Sequence, residues 1–101
     1  MEGLLLQTKQ LDKLIDEVLP LLIEDEWQMA SEKLPQVIEA LNDMLPLVLQ
    51  ANMEEVSLEL VKSVLTRLIF AMKVEDSIQL ADILAYEVGG IMQSVYAKCE
   101  E

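Results

Sequence analysis

Apolar residues recur along this chain at spacings of three and four, which is the period of an amphipathic α-helix. The pattern predicts helices over about residues 3–23, 27–51, 53–73 and 77–98. The breaks between them are short, and short connections make neighbouring helices antiparallel. The sequence therefore predicts an all-α fold, an antiparallel up-down bundle of three to four helices that forms one domain over residues 1–101.

In three of the four predicted helices the apolar residues form one narrow stripe, which is typical of a helix with a single face in a core. The stripes are Leu4, Leu11, Ile15, Val18 and Leu22; Leu34, Ile38, Leu41, Leu45 and Val48; and Leu80, Leu84, Val88, Ile91 and Val95. Pro20, Pro35 and Pro46 fall opposite these stripes. A proline there bends a helix without breaking it, because the carbonyl that it frees can meet water. We expect helices kinked at the prolines, with a new helix opening at Pro35 as the alternative.

The predicted third helix differs, because two apolar stripes lie side by side on it. One consists of Val56, Leu60, Val64, Leu68 and Ala71; the other, here called the second stripe, consists of Leu58, Val61, Leu65, Ile69 and Met72. Together they cover more than half of the circumference, so this helix is either central in the bundle or faces two partners. We expect a protein partner to cover the second stripe, which makes its five residues the predicted partner-binding site.

Two polar patterns mark the predicted starts of the third and fourth helices. Asn52 and Asp76 are each followed, three residues later, by an acid or an amide, Glu55 and Gln79, as in a capping box. Gly89-Gly90 lies inside the predicted fourth helix, where each glycine costs about 1 kcal/mol relative to alanine. Close helix packing or a kink is the favoured explanation of this pair, and a functional hinge is the alternative.

The charge and composition narrow the possible functions. Seven basic and 19 acidic residues give a net charge of −12, which disfavours binding to nucleic acid. Hydrophobic residues make up 52% of a short chain, which favours a further buried surface in a homodimer or a complex. No apolar run approaches the about 20 residues of a membrane-spanning helix, so no membrane insertion is expected. A single cysteine and the lack of a signal sequence predict a cytoplasmic protein.

The residue types present also limit the chemistry. There is no histidine, which excludes histidine-dependent catalysis and the common cysteine and histidine zinc sites. Cys99 has no histidine to activate it. Glu24, Asp25 and Glu26 form the densest acidic cluster; we favour a solvated connection there, with a weak site for a cation such as calcium as the alternative. We therefore expect no enzyme and no cofactor.

Residues 68–87 carry a pattern in which a helix with Ala71 and Asp76 at its end leads into Leu80-Ala81-Asp82, then Leu84 and Tyr86-Glu87. Together with residues 34–41, this stretch resembles small acidic helical proteins, largely uncharacterised, of flagellated Gram-positive bacteria. Ser77 departs from the pattern, which has an aromatic residue at that position. The resemblance implies a cytoplasmic protein linked to motility or surface assembly, of the size and helicity of flagellar export chaperones. It carries over no catalytic residue.

Three function classes fit these observations. The leading hypothesis is a non-enzymatic helical protein–protein interaction module, chaperone- or adaptor-like, that binds a partner helix on the second stripe or self-associates. The alternative is an acidic mimic of nucleic acid that inhibits a basic protein, which requires regular rows of carboxylates along one face. A carboxylate enzyme with a divalent metal is the third, and it requires acids that face inward from several helices.

Overall fold

The computed structural model describes residues 2–100, which form four antiparallel helices joined by short connections. The first three are α1 (Glu2–Ile23), α2 (Trp27–Ala51) and α3 (Leu58–Lys73). Each helix of the bundle packs against the next one along the chain, and the fourth packs back against α1. The predicted all-α up-down bundle is therefore confirmed, with four helices.

The fourth helix of the bundle has three parts that follow one another without a break: α4 (Ser77–Asp82), a π-helical segment (Ile83–Val88) and α5 (Gly89–Cys99). Leu80, Leu84 and Val88 are four residues apart, and all three side chains are buried along this helix. Ala40, Met44 and Val48 have the same spacing and are buried on the regular α-helix α2, so the spacing alone does not require the wider π turn.

Gly89 and Gly90 follow directly on this wide turn. A Cβ atom on Gly90 would meet nothing within 4 Å, and one on Gly89 would lie 3.7 Å from the carbonyl oxygen of Leu84, an ordinary contact. The explanation of Gly89-Gly90 by close helix packing is therefore wrong. The irregularity of the fourth helix is the π turn, and neither glycine is required by its surroundings.

One hydrophobic core runs through all four helices. The stripes predicted for the first and fourth helices are buried in full. On α2 the buried face is turned slightly from the prediction, because Val37 and Met44 lie in the core while Ile38 and Leu45 are only half-buried at its edge. Trp27 packs half-buried against the core at the start of α2.

The prolines lie within unbroken helices. Pro20 is inside α1, and Pro35 and Pro46 are inside α2. All three are exposed, as the sequence predicts. The alternative in which Pro35 opens a new helix is wrong, since α2 is continuous from Trp27 to Ala51.

The α1–α2 and α3–α4 connections share one construction, the Schellman motif. Asp25 has a φ of 59°, its N–H donates to the Leu22 carbonyl, and the Glu26 N–H donates to the Leu21 carbonyl at 2.8 Å. Glu75 has a φ of 54° and occupies the corresponding position after α3. The acidic cluster at residues 24–26 is therefore the end of one helix and the entry to the next.

The third helix begins later than predicted. Asn52 has a φ of 52° and its N–H donates to the Val48 carbonyl at 3.1 Å, so Asn52 closes α2 and does not open α3. The N-cap of α3 is Ser57, whose Oγ accepts a hydrogen bond from the Leu60 N–H at 3.0 Å. The prediction at Asn52 is wrong because asparagine suits both a left-handed helix end and an N-cap.

The predicted cap of the fourth helix is confirmed. Asp76 Oδ1 accepts a hydrogen bond from the Gln79 N–H at 3.0 Å, and α4 begins at Ser77. Within residues 2–100, no helix has the length and apolar character needed to cross a lipid bilayer.

Candidate functional site

The five residues of the second stripe lie in different surroundings once the chain is folded. Val61 and Leu65 belong to the core of the subunit, with exposed fractions of 0% and 8%. Leu58 and Met72 are half-buried, and Ile69 is 45% exposed. Neighbouring helices therefore already cover the middle of the stripe. The part open to a partner is reduced to Leu58, Ile69 and Met72, and their role in partner binding stays a prediction.

The open part of the stripe borders a groove between α2 and α3. Pro35 and Ile38 of α2 and Ile69, Met72 and Lys73 of α3 line this concavity, which has a volume of about 410 Å³. We call it the α2–α3 groove. Its lining is apolar except for the Lys73 side chain, so it offers a partner hydrophobic contact with one positive charge at the rim.

The apolar surface continues along the same pair of helices. Toward the other end of the bundle, Leu49 of α2 is 65% exposed and, with Leu58 of α3, borders a second, smaller concavity of about 170 Å³. The side of the bundle that carries both concavities is here called the α2–α3 face. Ile38 and Leu49 on α2, and Leu58 and Ile69 on α3, are each eleven residues or about three turns apart, a spacing that places both members of each pair on one side of their helix.

Sequence reasoning missed the α2 half of this face. Ile38 and Leu45 were assigned to the core stripe of α2, whereas both lie at its edge. The signal that could have located the face is the spacing of Ile38, Leu45 and Leu49, seven and then four residues apart, which is a second apolar stripe on α2. Pro35 gave no such signal, because a proline within a helix is expected on the exposed side whether or not that side binds a partner.

Charges differ between the two helices of this face. The whole of α3 carries three bases and one acid, namely Lys62, Arg67, Lys73 and Glu59. The charged residues of α2 are three acids and one base, namely Glu32, Glu39, Asp43 and Lys33. As whole helices, α3 is therefore net positive and α2 net negative, on a chain that is strongly acidic as a whole.

Ion pairs show which of these charges point away from the face. Lys33 Nζ lies 3.7 Å from Glu17 Oε2 of α1. Arg67 pairs with Glu87 of the fourth helix. Lys33 and Arg67 are therefore held toward other neighbours, which leaves Lys62 and Lys73 as the bases of α3 nearest to the α2–α3 face.

A smaller apolar patch lies at the α3–α4 connection. Phe70, Val74 and Ile78 are 60%, 54% and 78% exposed. Tyr86, on the π-helical segment, is 76% exposed. The sequence placed Phe70 and Tyr86 outside the apolar stripes, and their exposure agrees with that placement.

One polar contact links the end of the bundle to its start. Tyr96 Oη of α5 donates a hydrogen bond to Asp12 Oδ2 of α1 at 2.9 Å. Burial, this hydrogen bond and the negative charges of Asp12 and Asp16 raise the pKa of Tyr96 from 10.0 to about 12. At neutral pH the phenol is protonated, so it acts as a donor that joins two helices. Sequence reasoning missed this contact, because the two residues are 84 positions apart.

Across residues 2–100, no three Asp, Glu or Cys side chains come together in a way that could hold a metal ion. The residues 24–26 have the geometry of a helix end, as described above, and Cys99 is half-buried near the end of α5. The α2–α3 face is therefore the strongest candidate for a functional surface.

Comparison of the chain with known protein families, curated proteins and solved structures gives no significant match. The resemblance carried by residues 34–41 and 68–87 stays a prediction. Function is therefore inferred below from the surface of the folded chain.

Proposed function

We propose that this chain is a non-enzymatic helical protein–protein interaction module, chaperone- or adaptor-like, that works by docking protein helices. The α2–α3 groove is the observation that carries this proposal. Ile69 is 45% exposed beside Pro35 and Ile38 in an open, apolar concavity. A groove between two helices is the surface on which an amphipathic helix is commonly bound.

The energetics favour a contact that extends beyond the groove itself. Each 100 Å² of apolar surface that is covered contributes about 2.5 kcal/mol before the cost of association. That cost is about 4–15 kcal/mol, so a stable complex needs several hundred Å² of apolar contact. The second concavity at Leu49 and Leu58 extends the same face, and it supplies the additional surface.

The chemistry of the described residues supports a binding role over catalysis. Tyr96 is held as a protonated donor within the fold, and the acids of residues 24–26 end a helix. The resemblance to small helical proteins of flagellated bacteria favours the chaperone or adaptor version of the proposal. The alternative, an acidic mimic of nucleic acid, stays a prediction without a structural observation in its favour.

The proposal is tested by native purification and mass spectrometry on matched variants. Ile69→Glu places a charge in the groove at a position that is already partly exposed, so the bundle keeps its fold. Tyr86→Glu makes the same charge change on the fourth helix, where the side chain is 76% exposed. We expect a protein partner that copurifies with the wild type and with Tyr86→Glu and is lost with Ile69→Glu.

Circular dichroism of each variant verifies that the bundle is intact. A partner that remains bound to a folded Ile69→Glu variant would show that docking occurs elsewhere. Purification of the wild type without any partner and without self-association would contradict the proposed function itself.

A further inference from the structure

We propose that the α2–α3 face binds the same face of a second copy of this chain, in a two-fold dimer whose axis runs parallel to the helices. The inference rests on the proposed function, since it names the partner of the same surface. The second copy is favoured by the distribution of charge on α2 and α3, by the geometry of a two-fold axis, and by the size of the face.

The charges on the two helices are complementary to each other. Lys62 and Lys73 of α3 lie one turn after Leu58 and Ile69, so they flank the apolar residues of the face. Glu39 lies one turn after Pro35 on α2, about 40° further round, so it lies at the edge of the face. A partner for this face therefore needs an acidic helix opposite α3 and a basic helix opposite α2. A second copy of the face presents both.

The direction of the two-fold axis decides which helices meet. An axis parallel to the helices places α2 of one copy on α3 of the other, so that acids meet lysines on both sides of the interface. An axis across the helices, in the plane of the face, would place α3 on α3 and α2 on α2. Like charges would then oppose each other, which suppresses that arrangement.

The same axis direction also suits the packing of the helices. Within one copy α2 and α3 are antiparallel, so α2 of one copy lies antiparallel to α3 of its partner. The four helices at the interface then form a second up-down bundle, in which the exposed Ile69 and Leu49 gain apolar neighbours.

The size of the face is sufficient for a stable dimer. The molecule measures 38 × 22 × 19 Å, so one long side has a projected area of about 800 Å². A standard specific interface covers about 800 Å² on each partner. The dimer therefore needs most of the α2–α3 side, from the groove at Pro35 to the concavity at Leu58, and cannot rest on the groove alone.

The net charge predicts how the dimer responds to salt. Two copies at −12 each repel over long range. Salt screens this repulsion and also the acid–lysine pairs across the interface, but the repulsion arises from the whole net charge and is the larger effect. The dimer should therefore tighten between about 0.05 M and about 0.5 M salt. A basic partner helix on this acidic chain would bind more weakly over the same range, so the direction of the salt effect separates the two occupants.

The test is sedimentation equilibrium of the purified full chain and two variants. Lys62→Glu/Lys73→Glu reverses the lysines of the face, and Lys9→Glu/Lys13→Glu makes the same change in net charge on α1. We expect twice the 11.4 kDa chain mass for the wild type and the α1 variant, and a dissociation constant raised about tenfold or more for the α3 variant. Adding Glu39→Lys to the α3 variant should recover part of the lost affinity.

Three results would overturn the inference: a monomeric wild type at every salt concentration, equal weakening by the α1 and α3 variants, or no recovery of affinity when Glu39→Lys is added to the α3 variant. If the α3 variant loses its helical circular dichroism, Lys62→Gln/Lys73→Gln replaces it. A monomeric chain that still loses a copurifying partner through Ile69→Glu would refute the dimer and leave the proposed function standing. A monomeric chain without any partner would refute both.

Discussion

Leu65 distinguishes burial within the subunit from burial by a partner, because the two arrangements predict different effects of its truncation on the free energy of unfolding. Its exposed fraction is 8%, so the four-helix bundle already removes nearly all of its side chain from water. Truncation to alanine loses the transfer free energy of the deleted atoms and leaves a cavity, which together cost about 2–5 kcal/mol in comparable cores. We expect Leu65→Ala to lower the free energy of unfolding by about 3 kcal/mol.

The expected loss is large compared with the stability of such a domain. Small domains are stable by about 5–15 kcal/mol, so a loss of about 3 kcal/mol is readily measured. It corresponds to a fall in Tm of about 12–24 °C for a chain of this length. Ile69→Ala is the matched control on the same helix face. Ile69 is 45% exposed, and its truncation should cost about 1 kcal/mol or less in the monomer.

Urea unfolding provides the measurement. Trp27 is the only tryptophan and packs half-buried against the core, so its fluorescence reports loss of tertiary structure while far-UV circular dichroism reports loss of helix. Both variants are measured at several protein concentrations, because dimerisation stabilises the folded chain by mass action. A cost for Leu65→Ala that is no greater than that for Ile69→Ala, or that appears only at concentrations where the dimer forms, would refute burial of Leu65 within the subunit.

Three further predictions each concern a single residue. Tyr96→Phe should lower the free energy of unfolding by about 1 kcal/mol at neutral pH, because the hydrogen bond to Asp12 is lost. Since the pKa of Tyr96 is raised to about 12, this contribution is present below pH 10 and disappears as the pH rises to about 12. The difference in unfolding free energy between the wild type and the variant, measured across this pH range, tests the prediction. Gly90→Ala should stabilise the chain by about 0.5–1 kcal/mol in thermal unfolding, since a Cβ there meets nothing, and a lower Tm would contradict a helical, unobstructed Gly90. Asp25→Gly should be more stable than Asp25→Ala by about 1 kcal/mol, because a φ of 59° suits glycine; equal urea midpoints would argue against the left-handed helix end.

Most of the fold was predictable from the sequence, because helices are set by local spacing. The stripes of the first and fourth helices are buried as predicted, and the exposed prolines lie opposite the apolar stripes, as their spacing predicts. The cap at Asp76 was also predictable, since its hydrogen bond to the Gln79 N–H joins residues three positions apart. Each of these features depends on residues within one or two turns of each other, and the sequence contains that information directly.

The start of α3 was not predictable in the same way. Asn52 and Ser57 both have side chains suited to an N-cap, and the capping-box pattern fits Asn52 better. In the folded chain Val56 is 1% exposed and Met53 7%, so the segment between α2 and α3 is anchored in the core. These two side chains are buried next to the turn at Asn52. Their burial depends on the positions of the other helices, so the local sequence could not show where α3 begins.

The candidate site illustrates the same division between sequence and tertiary structure. The sequence by itself determined that α3 has two apolar stripes and that the chain carries strong negative charge. It could not say which stripe the bundle covers, because both have similar hydrophobicity and only the placement of α2 and the fourth helix around α3 distinguishes them. That placement buries Val61 and Leu65, leaves Ile69 accessible beside Pro35 and Ile38, and so creates the α2–α3 groove from residues more than 30 positions apart.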